Sequence, residues 1–203
     1  MRPLFVSLFL CFGLAEAQPA TNWTSNSPPC RTRGELLKKG HMDLGVRVAT
    51  ANRDLAEQFR RAMDSWSRIL DLEWHEENTP NCSLQLIDGG PELFRAAAVV
   101  ARAQLPERPR FQGLIAFNPG PDLSAADLYR ISVHEIGHML GLQHSSNAMS
   151  VMYGLDLEGL EWLYPADLAD LAKHHKLRIT ELDKPVALGS GEDSDVSRGR
   201  ASN

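Results

Sequence analysis

Between residues 42 and 50 the chain alternates, with Leu44, Val46, Val48 and Thr50 separated by small or polar side chains. A period of two places one row of side chains on each face, so this stretch reads as a strand. The period then lengthens. Leu55, Phe59, Ala62, Trp66 and Ile69 recur every three or four positions, with Arg and Glu between them. That is the stripe of an amphipathic helix turned toward a core. Short apolar segments follow near 72–75, 83–87, within 97–104 and at 114–117. Each reads as a strand, and Pro and Gly punctuate the gaps. A second helix is predicted from Ser124, a plausible N-cap, with Asp127 three residues later completing a capping-box pattern. It is expected to run to about Leu140 and stop at Gly141. A third helix follows Pro165, with Leu168, Leu171 and Ala172 facing inward.

Both ends of the chain break these patterns. Arg2 precedes an apolar run from Leu4 to Leu14, and Ala15-Glu16-Ala17 is a small-residue cleavage pattern before Gln18. Residues 1–17 therefore read as a signal peptide, with a buried N-terminal helix as the alternative. The run is too short to span a bilayer comfortably, and no later stretch is long enough to try. Residues 18–40, rich in Pro, Ser, Asn and Thr, look like an arm without its own core. Residues 41–180 hold the periodic segments and form the expected domain. From Glu181 a Gly, Ser and Asp tail with little to bury is expected to be disordered. No internal repeat is visible.

Composition narrows the picture. Hydrophobic residues make up 43% of the 203, enough for one sizeable core, and the formal charge is -5. Removing residues 1–17 takes out one Arg and one Glu and leaves that charge unchanged. It argues against nucleic acid or an anionic membrane as partner. Secretion to the extracellular space changes the reading of the cysteines. Cys11 leaves with the signal peptide, and Cys30 and Cys82 remain as an even pair in an oxidising compartment. A bridge between them would tie the arm to the core, worth about 4 kcal/mol by loop-closure entropy. Asn22-Trp23-Thr24 and Asn81-Cys82-Ser83 are acceptor triplets for N-glycosylation at Asn22 and Asn81.

The chemistry concentrates in HEIGHMLGLQH, residues 134–144. His134 and His138 are four apart, so on a helix both imidazoles leave one face. Gly141 can turn the chain sharply and return His144 to the same point. Three neutral imidazoles suit zinc and leave a fourth position open for water, whereas a closed structural site would want a fourth ligand, most often Cys. Glu135 follows the first histidine and is placed to accept the water's proton and later deliver it to a leaving amine. Zinc would acidify that water and polarise the scissile carbonyl. The other histidines, His41, His75, His174 and His175, lack ligand spacing and read as surface or satisfied side chains.

This segment resembles the metzincin signature, and Ser145 after the third histidine resembles the matrixin branch, the matrix metalloproteinases and their relatives. Residues 148–154, AMSVMYG, resemble the matrixin Met-turn, with Met152 at the methionine position beneath the metal and Tyr153 beside the primed-side substrate pocket. LYPADL, residues 163–168, resembles the start of the last helix, where Asp167 matches an acidic position that buttresses the turn; a helix-start Asp is an equal account of it. The resemblance spans roughly residues 43–177 and is specific from Ser132 to Tyr153. It implies an α+β catalytic domain, a twisted, mostly parallel five-stranded sheet with three helices and a cleft at the metal. It implies a monomeric secreted zinc endopeptidase whose polypeptide substrate binds extended, as a strand added near residues 98–103.

Three departures accompany the resemblance. Arg102, Leu114 and Ala116 stand where the family's structural-metal ligands would be, so one zinc is expected. The arm is too short for the folded pro-domain that usually keeps the family latent, and Cys30 has two readings, a disulfide with Cys82 or a thiolate capping the zinc. Gly154 replaces the Pro common after the turn's tyrosine. The rival reading is a secreted binding or effector protein that uses the scaffold without catalysis; retention of Glu135 and all three ligands favours the enzyme. The motif is also compatible with an amidase acting on a non-peptide substrate.

Overall fold

The computed structural model describes residues 30, 35–90, 93–94, 99–103, 113–154 and 162–189. Residues 1–17, read above as a signal peptide, Asn22, most of the arm and the end of the chain lie outside the described residues. Five strands form the main sheet: β1 (Met42–Ala49), β2 (Leu72–Glu76), β3 (Leu84–Asp88), β4 (Ala101–Ala103) and β5 (Leu114–Phe117). Their order is β2-β1-β3-β5-β4. β1 pairs in parallel with β2 and β3, β3 pairs in parallel with β5, and β4 closes the edge antiparallel to β5. The expected strands are all present. Ala97, Ala98 and Gln104 fall outside the described residues.

Register sorts the side chains by face. Val46 lies beside Leu84, Val48 beside Leu86, and Leu86 beside Ile115. This row joins Phe59, Met63 and Trp66 of α1 (Arg53–Ile69) and Ile136 of α2 (Ala125–Met139) in one core. Burying each large apolar side chain there stabilises the fold by roughly 2–3 kcal/mol. The opposite row, Ile87, Leu114 and Ala116, packs under Phe94 as a second, smaller cluster. Parallel strands covered on both faces explain why these runs are nearly continuous in hydrophobicity.

The two long helices are set by their caps and by contact with each other. The Asn52 side chain accepts from Leu55 N at 3.0 Å and starts α1. Ser124 and Asp127 form the expected capping box on α2. Trp66 Nε1 donates to Val133 O at 3.2 Å, and the Ser65 and Tyr129 hydroxyls meet at 2.8 Å. These bonds cross from α1 to α2 and leave little freedom in how one sits on the other.

Two features extend beyond the sequence pattern. Within the stretch assigned to a disordered tail, β7 (Val186–Ala187) pairs antiparallel with β6 (Trp162–Leu163), and Leu188 is buried. The Tyr129 hydroxyl donates to the Leu188 carbonyl. A two-residue strand and one buried leucine are too short to leave a period in the sequence, and they carry the packed chain past 181 to Leu188. The second feature concerns the arm. Cys30 is bonded to Cys82, with Cα atoms 4.9 Å apart, so its sulfur is not available to cap the histidines. A 3-10 turn at Glu35–Leu37 buries Leu36 in the main core. Among the described residues no helix is long and apolar enough to cross a membrane.

Candidate metal centre

α2 carries the first two histidines one helical turn apart, and both are buried. The helix ends at Leu140, and Gly141 takes a φ of 94°. That left-handed conformation is open to glycine at no steric cost and redirects the chain, as the sequence suggested. His144 returns to the site from the loop. Its ring centroid lies 5.3 Å from that of His134 and 4.7 Å from that of His138, which are themselves 4.6 Å apart. A ligand nitrogen from each of the three falls within 4.8 Å of the others, the only such group among the described residues.

The tautomers of two histidines follow from their neighbours. His134 Nδ1 lies 2.7 Å from Val151 O, and His138 Nδ1 lies 2.8 Å from Leu142 O. A carbonyl only accepts, so each Nδ1 carries the proton and each Nε2 keeps a free lone pair. Burial pushes the His134 imidazole down to about 4, opposed by the Val151 carbonyl. It also lowers that of His138. Both rings are therefore neutral at physiological pH and ready to ligate. Three convergent imidazole nitrogens fit a zinc ion with an open coordination position.

Glu135 is buried next to this group. Burial raises its carboxyl to about 7, partly opposed by a hydrogen bond from the Ala103 backbone and the charge of Arg102. The carboxylate thus reaches across to β4 at the sheet edge. Met152 is fully buried against Gly137 of α2. A Cβ placed on Gly137 would fall 2.6 Å from the Met152 sulfur and 3.3 Å from Trp66 Cζ2. Gly137 is what lets the methionine approach the helix. Sequence reasoning passed over it, although a glycine inside a helix, costing about 1 kcal/mol against Ala, is itself a sign of close packing.

The turn around Met152 is held from α3 (Pro165–His174). Asp167 Oδ2 accepts from Ser150 Oγ at 2.7 Å and from Tyr164 N at 2.9 Å, while Ser150 Oγ accepts from Met152 N at 3.0 Å. Both accounts of Asp167 hold at once: it caps a helix start and it braces the turn. Ser150, the link between them, carries no distinctive sequence signal. Tyr153 is half-buried and donates its N–H to Ser150 O. The loop that would complete its pocket, residues 155–161, lies outside the described residues. Among the remaining histidines, His41 and His75 sit at the surface beside Asp71 and Asp43, and His175 is buried with Nε2 on Leu140 O. None of these joins the cluster.

Residues 45–158, more than half of the chain, match the family profile described as Matrixin. Curated relatives include human matrix metalloproteinase-26, 30% identical over 103 residues, which are 45% of this chain and 39% of the relative. The archaemetzincin of Methanocaldococcus jannaschii is 35% identical over 86 residues, 40% of this chain and 45% of the relative. Metalloendoproteinase 1-MMP of Arabidopsis thaliana is 31% identical over 114 residues, 49% of this chain and 31% of the relative. The chain thus spans less than half the length of each of these relatives.

Proposed function

The chain belongs to the matrixin family, and we propose that it is a secreted zinc endopeptidase in which His134, His138 and His144 hold the ion and Glu135 is the general base. The observation that carries the proposal is the convergence of three imidazoles, two with their Nε2 lone pairs freed by carbonyl contacts, beside a buried carboxylate. When bound, zinc supplies Lewis acidity, which acidifies a water molecule and polarises a carbonyl. Glu135 would accept a proton from the attacking water and return it to the departing amine. Burial strengthens these charge interactions and keeps bulk water from competing for the carboxylate. β4 is the last strand in the sheet order. An extended peptide lying along it would add main-chain hydrogen bonds and bring its scissile bond to Glu135.

One ion per molecule is the expected stoichiometry. Leu114 and Ala116 belong to the apolar outer cluster, and Arg102 pairs with Ala116 across the strands. Two aliphatic side chains and a guanidinium offer no ligand to a second zinc. Metal analysis of purified protein is expected to give one tightly held zinc, and two would refute it. The signal peptide, glycosylation at Asn22 and Asn81, and action as a monomer belong to the same proposal.

The test is hydrolysis of a mixed library of unstructured peptides by the mature protein, beside Glu135→Ala and a zinc chelator. Cleavage is expected from the wild type, with a loss on the order of 10²–10⁴-fold in Glu135→Ala. That variant should keep its fold and zinc, and the chelator should abolish cleavage. A zinc-loaded wild type that cuts nothing would sink the proposal. His138→Ala should lose the ion; stoichiometric zinc in that variant would mean the ligands are wrongly assigned.

A further inference from the structure

The three histidines are not held alike. His134 and His138 are buried on a helix and each is fixed by an Nδ1–H bond to a backbone carbonyl. His144 is exposed, sits on a loop, and has no hydrogen-bond partner among the described residues. A bare imidazole on a loop keeps its rotamer freedom, and fixing it at the moment of binding costs free energy. Something else must set its direction.

The neighbour that does so is backbone. A Cβ built on Gly154 would fall 2.9 Å from His144 Nδ1 and 3.0 Å from both Cε1 and Cγ. Three ring atoms at nearly equal distance mean that the imidazole turns its face toward the side of Gly154 where a Cβ would stand. The 2.9 Å approach is shorter than real Cβ contacts and the two at 3.0 Å are tighter than most, so a methyl group at 154 requires the ring or the loop to shift by about a few tenths of an ångström. The loop around the contact is not free to slide. Ser145 N donates to Met152 O at 2.8 Å, and Ser145 and Tyr153 form a parallel bridge. These bonds tie residues 144 and 154 to each other from the adjacent positions.

We infer that Gly154 is a positioning residue for the third ligand: the space left by its missing side chain is where the His144 ring rests, and this contact replaces the hydrogen bond that orients the other two. The inference rests on the proposal above that His144 binds zinc. It also makes restoration of a side chain there harmful rather than neutral.

The experiment measures zinc affinity by competition with a chromophoric chelator. The proteins are wild type, Gly154→Ala, His144→Ala and the double variant, each also melted as the apo-protein. Gly154→Ala is expected to weaken zinc binding by roughly tenfold, as for other residues that orient a ligand. The apo melting temperature should stay at the wild-type value, because Gly154 is exposed and no ion is present to align. In the His144→Ala background the same substitution should change nothing further. Wild-type affinity in Gly154→Ala would overturn the inference. So would an equal loss with His144 absent, or a fall in the apo melting temperature that matches the loss of affinity. If His144→Ala itself binds zinc as tightly as wild type, the ligand assignment fails, and that outcome is separate from a failure of Gly154 alone.

Discussion

Gly137 shows how far one position can mislead when read alone. By intrinsic propensity, Ala in its place stabilises a helix by about 1 kcal/mol. In the fold, the new methyl would stand 2.6 Å from the Met152 sulfur and 3.1 Å from its terminal methyl. Overpacking of this kind costs about 1–3 kcal/mol, because neighbours must leave their rotamers. The second effect is expected to win. Gly137→Ala should be destabilised by up to about 2 kcal/mol in urea unfolding, the net of the two terms. A gain of about 1 kcal/mol would instead mean that Met152 moves aside freely and forms no rigid floor. The convergence of the three histidines was legible because its signal is local: a spacing of four on a helix gives His134 and His138 a shared face, and Gly141 can return His144 to it. Gly137 was not, because its partner lies fifteen residues later and only tertiary packing joins them.

Strands and helices followed the periodicity closely, since burial on one face leaves a repeating mark. α1 and α2 begin and end within a residue or two of the sequence expectation. The shortest elements did not follow it. β6 and β7 have two residues each, and their pairing is visible only in space. The hinge between elements is also polar and therefore silent in a hydrophobic pattern. Asp167 joins α3 to the turn over Met152 through one buried oxygen. Asp167→Ala leaves Ser150 Oγ and Tyr164 N without this acceptor. Each hydrogen bond to a charged group is worth about 1.5–3 kcal/mol, so losing both is expected to cost roughly 3–6 kcal/mol on thermal or urea unfolding. Asp167→Asn, which retains an acceptor, should fall between the two. If Ala costs less than about 0.5 kcal/mol, the figure for an ordinary surface change, the bracing account fails.

At the scale of the whole molecule, two ties close the fold outside the sheet. One is ionic. The chain leaving α3 runs back along the end of α1, with Arg178 N donating to Ile69 O and Asp71 N to Lys176 O. Hydrogen bonds from Lys176 and His41 hold the Asp71 carboxyl down at about 2, and Arg178 lies 3.5 Å away. A carboxyl depressed below its unfolded value near 3.8 adds stability that is fully present above that value and is lost as pH falls toward 2. Asp71→Asn should therefore be less stable than wild type at pH 6 and converge with it below pH 2. A gap that stays constant across that range would show that the ion pairs are not its cause. The other tie is covalent, and the sequence left its role open. Cys30 reaches Cys82 at the entrance to β3, where Ser83 N donates to Gly45 O at 2.7 Å. From there the arm returns through Leu36 in the core and Leu37, whose Cδ2 would lie 3.1 Å from a Cβ on Gly141. The bridge thus pins a segment that lies against the exit of α2, the same turn that aims His144. With the cysteines 52 positions apart in sequence, the entropy model gives about 4 kcal/mol as the stabilisation. Cys30→Ser/Cys82→Ser, or reduction of the wild type, is expected to lower unfolding free energy by an amount approaching that figure. The contacts of Leu36 would remain, so the arm should still dock at low temperature and zinc affinity there should hold. A loss under about 1 kcal/mol, well below the usual range for a native disulfide, would mean that Leu36 alone secures the arm.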